Sequence, residues 1–466
     1  MGFVIYDVET SGLNKRFDQI LQFAAVRTDE RLGVVERVSL QSRLRPHVLP
    51  APEALELTGT RFQDLVGPDR PGHDAMVGDI YAAIERWAPA MFIGFNSISF
   101  DEEMLRQAFY EGLRAPIFAT SLNGNARGDA LKLARAVAAL RPDVLNVPRD
   151  AEGRRVFRLS DLARANGIDP GRGHEAMADV ETTLALCQLV KAKAPTLWSS
   201  FMRFANKRAV VDFVREEDAF AVFEFYGGVG DVHCVTRIGI NPNDENVHYC
   251  LDLTHDVGSL RRMSNADLLQ VLDGPDRPVR RLKVNASPLL AHLWELEARH
   301  LGDFVEDDLV AVAQSVRGDE ELMRRLTFAM SRLERQWPKS PHVEQQIYDD
   351  FISKPDAALC AQFHRTPWEE RPAMVAQFRD KRLQRLAQRL LFFERPDVLA
   401  AERRAEFEAA MRKRLSGEVA DAPWRTVPQA LEELDAVMAV LGADVASHPL
   451  GVYRAHLVAQ MSPAKG

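Results

Sequence analysis

Cysteine is scarce: the chain has four in 466 residues, Cys187, Cys234, Cys250 and Cys360, and no two stand as Cys-x-x-Cys. That excludes a disulfide framework and a cysteine-built zinc site, and it fits a reducing cytoplasm. No stretch approaches the roughly 18 uninterrupted apolar residues of a membrane span. No basic segment leads into an apolar run at the N-terminus, so neither a secretory leader nor a membrane partner is expected. Tyr6 stands where a myristoylation signal needs Ser or Thr. No internal repeat is present. An excess of positive charge is missing too: the formal sum is −8, which taken alone argues against nucleic acid as a partner.

What is present is ordinary for a globular protein, with 46% hydrophobic and 27% charged residues. The length exceeds what one core supports, so two or three domains are expected. Charge is unevenly distributed. Arg277, Arg280, Arg281 and Lys283 form one basic cluster, and Arg379, Lys381, Arg382, Arg385 and Arg389 form another. Such clusters are solvated faces unless a nucleic-acid site elsewhere gives them a partner.

The chain opens Phe3-Val4-Ile5-Tyr6-Asp7-Val8-Glu9-Thr10-Ser11-Gly12. The apolar run reads as a buried strand, and alternation puts Asp7 and Glu9 on one face. Two ionised acids side by side need a cation or donors, and hard oxygen ligands suit Mg²⁺ or Mn²⁺. On its own the pair fits a strand end with solvated acids better than a metal site, so further ligands decide. Ile20–Arg27 and Val38–Leu44 read as two more strands, Asp79–Trp87 as a helix and Met91–Phe95 as a fourth strand. A sheet followed by alternating helices predicts an α/β layer.

The segment Asn96 to Leu105 turns from strand into helix. Ser99 with Glu102 has the form of a capping box, which leaves Asp101 without a structural role beyond favouring the helix dipole. A helix is expected over Asp129–Leu140, a short one over 157–167, and a longer one running from the His174-x4-Asp179 segment to about Lys193. Five residues are about 140° apart on a helix, so His174 and Asp179 meet only if His174 precedes the helix, as Gly171 and Gly173 allow. Pro195 is expected to close the first domain. Strands follow over Ala219–Phe225, Val232–Ile240 and Val247–Leu253. Gly227, Gly228 and Gly230 read as a turn, since no Lys-Ser/Thr follows to make a phosphate loop. From Asn265 onward helices are expected, ending in the pair Ala400–Leu415 and Val427–Leu441, with fraying from Ser462.

Asp7, Glu9, Asp101 and Asp179 with His174 are the parts of a four-carboxylate, two-metal site with a base beside it. Asp7-Val8-Glu9-Thr10, Asn96 to Asp101 and His174 to Asp179 resemble the three motifs of the DEDDh 3′-to-5′ exonucleases, whose fold is ribonuclease H-like. Gln22 to Asp29, Phe157 to Leu159 with Ala165 to Ile168, and His174 to Val180 are similar to stretches of one bacterial member. So are Pro278 to Ala291, Tyr348 to Phe351 and Phe378 to Arg382, which look like its SH3-like and C-terminal helical regions.

The resemblance implies an α/β fold in three parts: a ribonuclease H-like exonuclease domain over 1–195, an SH3-like β domain over 196–345 and a helical domain over 346–466. It implies processive 3′-to-5′ hydrolysis of single-stranded DNA to 5′-mononucleotides, in DNA repair and recombination. Asp7, Glu9, Asp101 and Asp179 would hold two Mg²⁺ ions, with Mn²⁺ a substitute; His174 would be the general base and Glu9 would orient the water. The added domains would close a C-shaped body around the strand. A groove for it needs basic and aromatic residues; candidates are Thr10, Phe17, Arg127, Arg141, Arg158, Lys207 and Tyr226. Ser11 departs from the aromatic residue of the similar member. The acidic, Phe-ended tail of single-stranded DNA-binding protein is the implied partner of a monomer. The alternatives are an exoribonuclease or proofreading-type nuclease, against which the added domains argue, and an inactive nucleic-acid-binding scaffold, against which the five chemical residues argue.

Overall fold

The central strand of the first sheet, β1 (Gly2–Thr10), is buried from Phe3 to Tyr6 and again at Val8, because both its faces are covered there. In the computed structural model it pairs antiparallel with β2 (Ile20–Thr28), which pairs antiparallel with β3 (Val34–Gln41). On its other side it runs parallel to β4 (Ala90–Gly94), which is parallel to β5 (Ala126–Asp129). The order β3-β2-β1-β4-β5 is that of the expected ribonuclease H-like domain. The structure describes residues 2–171, 175–226, 229–335, 338–445 and 447–461, the side chains of 225, 226, 229 and 230 excepted. His174, Gly173, Gly227, Gly228 and the chain from Ser462 therefore lie outside the described residues.

Alternation along β1 assigns each side chain to a layer. Val4, Tyr6 and Val8 pack with Phe23, Phe92 and the helices His73–Trp87 and Asp101–Glu111. Phe3 and Ile5 face the helices Ala130–Leu140, Ala176–Lys193 and Pro195–Phe204. Pro195 does not end the first core. It opens a helix, since its fixed φ suits the first helical position. From that helix Trp198 meets Phe3 edge-on at 5.5 Å, and Phe201 presses on Gly128, where any Cβ would collide with it.

A second sheet, all antiparallel, has the order β10-β6-β7-β8-β9. Its strands are β6 (Phe220–Tyr226), β7 (Val229–Asn241), β8 (Asp244–Asp252), β9 (Val279–Lys283) and β10 (Leu290–His292). The last two fall where the local pattern suggested helices, within the span that the resemblance assigned to a β domain. They are short, and hydrogen bonding to β8 and β6 makes them strands where local pattern does not. Two members of the first basic cluster are spent internally: Arg280 lies 3.6 Å from both Glu224 and Asp252, and Arg281 pairs with Glu334 at 2.9 Å.

The C-terminal helices do not form a core of their own. Phe363, Leu386 and Leu390, from the helices Lys354–Arg365 and Lys381–Glu394, join the cluster that holds Tyr6 and Phe92. Leu434 and Tyr453 join Leu21, Leu55 and Phe62. Tyr453 belongs to a helix, Leu450–Met461, that follows the expected final pair. Its buried Leu450, Tyr453 and Leu457 are interleaved with exposed Val452, Val458 and Met461, so its sequence shows no polar face. Among the described residues no helix is long and apolar enough to cross a membrane.

Candidate active site

Asp7 and Glu9 continue the face of β1 that carries Phe3 and Ile5, at the end where apolar residues run out. The helix Ala176–Lys193 packs on that face through Val180 and Leu184, and its first turn brings Asp179 to the same spot. Carboxylate oxygens of Asp7, Glu9 and Asp179 all lie within 4.8 Å of one another. A register shift between Glu9 and Thr10 then releases the chain into a braced loop. Ser11, fully buried, donates to Asp18 Oδ1 at 2.8 Å and accepts from the Gln19 N–H at 2.9 Å.

Asp101 arrives from the other side of the sheet. The chain leaves β4 through a turn in which Asn96 takes a left-handed φ of 62°. Asp129, at the end of β5, accepts from the N–H groups of Asn96 at 2.9 Å and Leu131 at 3.0 Å, so it shapes this turn and caps the next helix. The expected capping box is not formed. Ser99 Oγ donates to Asn96 O and Oδ1, and Glu102 is buried beneath the helix, accepting from Tyr6 Oη at 2.9 Å and Thr120 Oγ1 at 2.8 Å. Packing won over local capping because Glu102 points into the sheet. Asp101 is 5% exposed and its Oδ1 accepts from the Val8 N–H at 3.2 Å, which sets it beside the two strand acids.

Crowding of like charge in a buried place governs the electrostatics. Burial first, then Asp101, Glu9 and Asp179, hold the Asp7 carboxyl well above the usual range. Burial and then Asp179 push Glu9 up to about 7. Burial raises Asp101 to about 7 against the lowering effect of its own and the Val8 N–H bonds, with Asp129 and Glu102 adding to the rise. Such acids ionise together only around a cation, and an all-oxygen set of this kind fits a hard divalent ion.

A cavity of about 340 Å³ adjoins Glu9, lined by Thr10, Gln22, Thr58, Thr60 and Arg70 among others. Thr10 Oγ1 itself donates to Gly12 O at 2.7 Å. The other expected contacts scatter. Phe17 is 8% exposed, its ring edge-on to Trp424 and His342, so it presents no open face for a base. Arg127 is tied within the protein to Glu102 and Asn285. Exposed Arg141 pairs with Asp143 at 3.1 Å and Lys207 with Glu245 at 2.9 Å. Arg158 is exposed. His174 and the Tyr226 side chain are not among the described groups. Asp129, Glu102 and Arg70 were missed by sequence reasoning. Only Asp129 had a signal, an acid at a strand end two residues before a helical leucine.

Residues 4–187 match the family described as Exonuclease and residues 341–447 the Exonuclease I C-terminal domain. The chain is 31% identical to exodeoxyribonuclease I of Haemophilus influenzae, covering 82% of this chain and 84% of that one. It is 28% identical to exodeoxyribonuclease I of Escherichia coli, covering 82% and 83%. Among solved structures, Exonuclease I from Methylocaldum szegediense superposes with a TM-score of 0.86 at 25% identity, over 99% of this chain and 100% of that one. E. coli Exonuclease I in complex with a dA16 oligonucleotide does so at 0.84 and 24%, over 98% of each chain.

Proposed function

The chain belongs to the exodeoxyribonuclease I family, and from that premise we propose how its residues cut a strand. It is an exodeoxyribonuclease that hydrolyses single-stranded DNA from the 3′ end. The observation that carries the residue assignment is the convergence of Asp7, Glu9 and Asp179 within 4.8 Å, with Asp101 held beside them by Val8.

Asp7, Glu9, Asp101 and Asp179 would hold two Mg²⁺ ions, with Mn²⁺ a substitute. Bound there, the ions would lower the pKa of water and stabilise the departing oxygen. Glu9 orients the attacking water. His174 takes its proton. The water oxygen bonds to phosphorus, the bond to the 3′ oxygen of the preceding sugar breaks, and a 5′-mononucleotide leaves a strand one residue shorter. The cavity beside Glu9 is in the size range of small-ligand sites and takes the terminal nucleoside against Thr10 and Arg70.

Domains over 1–195, 196–345 and 346–466 were the expected division. The packing of Trp198 and Phe201 supports carrying the first to about residue 205. Digestion is processive, with Arg158 on the strand's path, and the acidic tail of single-stranded DNA-binding protein is the partner of a monomer in the cytoplasm. Four free, buried cysteines support that compartment. The test is release of mononucleotides from 3′-labelled single-stranded DNA with Mg²⁺, run beside the same strand in RNA. Release from the 5′ end first, or equal cutting of RNA, refutes the assignment. His174→Ala loses most of the rate while the metal stays bound; an unaltered pH-rate profile removes it as the base.

A further inference from the structure

We infer that Arg127 is a positioning residue for Asp101, acting through Glu102, and that it ties the active-site turn to the loop 285–287 of the second sheet. The inference rests on the reading of the four acids as the metal site.

Glu102 is the residue after Asp101, and Tyr6 is the residue before Asp7. Their side chains meet at 2.9 Å on the far side of the sheet from the acids, so one hydrogen bond pins together the two backbones that carry Asp7 and Asp101. Glu102 is 1% exposed, and a carboxylate so buried needs compensation. It is supplied by Arg127 Nη1 at 3.5 Å and Arg106 Nη2 at 3.6 Å, with Thr120 Oγ1 donating at 2.8 Å. Arg127 is in turn held by the second sheet. Its Nη2 donates to Asn285 O at 2.7 Å, and Ser287 Oγ donates to the Arg127 carbonyl at 2.5 Å. Lys132 Nζ, on the helix after β5, donates to Ala286 O at 2.7 Å, so three consecutive residues of the β9–β10 connection are fastened to β5 and that helix.

A guanidinium engaged at both ends, with a side chain 11% exposed, has little left for a phosphate. Its loss would leave Glu102 under-compensated directly behind Asp101, and the helix start would shift to relieve it. Partners behind a metal ligand set its orientation, and their removal typically costs about 10–100-fold in metal affinity.

The test is Mn²⁺ binding to the DNA-free full chain, together with the salt dependence of single-stranded DNA affinity measured without divalent ions. Arg127→Met should raise the Mn²⁺ dissociation constant by about 10–100-fold and leave the salt slope unchanged. Ser287→Ala, which removes one bond at the periphery, should act in the same direction by less, and Arg127→Lys should recover part of the loss. A salt slope reduced by about one with Mn²⁺ affinity intact would make Arg127 a phosphate contact and overturn the inference. Unchanged Mn²⁺ affinity in both Arg127→Met and Ser287→Ala would overturn it as well. Should Asp179→Ala bind Mn²⁺ as well as the unmodified chain, the metal-site reading itself fails, and the inference with it.

Discussion

The Val8 N–H donates to Asp101 Oδ1 at 3.2 Å, so the acid from the helix is held by the backbone unit that separates Asp7 from Glu9. The donor belongs to the strand and the acceptor to an element 93 residues later, and this one bond joins the first two parts of the site.

Asp179→Ala should abolish metal-supported cleavage while leaving strand binding. Loss of several kcal/mol of charge stabilisation is a fall of roughly 10³-fold in rate. Single-turnover release from labelled DNA, beside a filter-binding measurement, separates the two effects. Turnover near that of the unmodified chain would remove Asp179 from the site.

Glu9 and Asp101 are raised to about 7. A folded pKa above the unfolded one favours folding below the unfolded pKa of about 4, and that favour is lost as pH rises through the folded pKa. Without divalent ions, thermal stability should therefore decline as pH rises from about 4 to about 7 and level off above that, each unit of displacement being worth roughly 1.4 kcal/mol per group. A saturating divalent cation should abolish the decline, because the ionised acids then have a partner. Identical pH profiles in chelator and in Mg²⁺ would count against a metal site here.

Glu344 receives Arg414 at 2.7 Å and Arg389 at 2.9 Å beneath the C-terminal helices. Burial alone would raise its carboxyl, but the two guanidiniums outweigh it and hold Glu344 at about 2. The stability it supplies is present above the ordinary carboxylate range and is lost as pH falls toward 2. Glu344→Gln should destabilise by about 3–5 kcal/mol, since it strands two buried cations. Denaturant unfolding at neutral pH measures this; a change under 1 kcal/mol would make the pair dispensable.

Trp198→Ala should cost about 3–5 kcal/mol and lower the stability of the nuclease sheet itself. Hydrogen exchange along β1 gives the readout. Unaltered protection there would place Trp198 outside the first core and restore the boundary at Pro195.

Arg70 lines the cavity beside Glu9 and makes no ion pair among the described residues. Arg70→Ala should raise KM for single-stranded DNA with little change in kcat, and reduce the salt slope of binding by about one. An unchanged slope would separate this cavity from the strand.

Much of the site was legible because its signals are local. Asp7 and Glu9 share a face by strand alternation, and each acid that joins them enters at a recognisable strand-to-helix or loop-to-helix turn. The first sheet was legible for the same reason, its strands being apolar runs bounded by breakers. The failures were local patterns overruled by distant partners. Ser99 and Glu102 have the spelling of a cap, yet Glu102 is drawn under the sheet by Tyr6 and Thr120. Phe17 and Arg127 look like strand contacts, yet one is enclosed by Trp424 and the other fastened to Asn285. β9 and β10 are too short to announce themselves without β8 and β6 beside them.

The sequence by itself determined the identity of the acids, the face of β1 they occupy and the order of the elements that bring them, because period-two alternation and turn chemistry are set within a few residues. Only the tertiary structure decided that Asp179 comes within 4.8 Å of Asp7 and Glu9. It also decided that the C-terminal helices complete the nuclease core, and that Arg127 reaches back to Glu102 instead of out to solvent. Those outcomes depend on which buried surfaces meet and which buried charges must find partners, and no spacing along the chain encodes them.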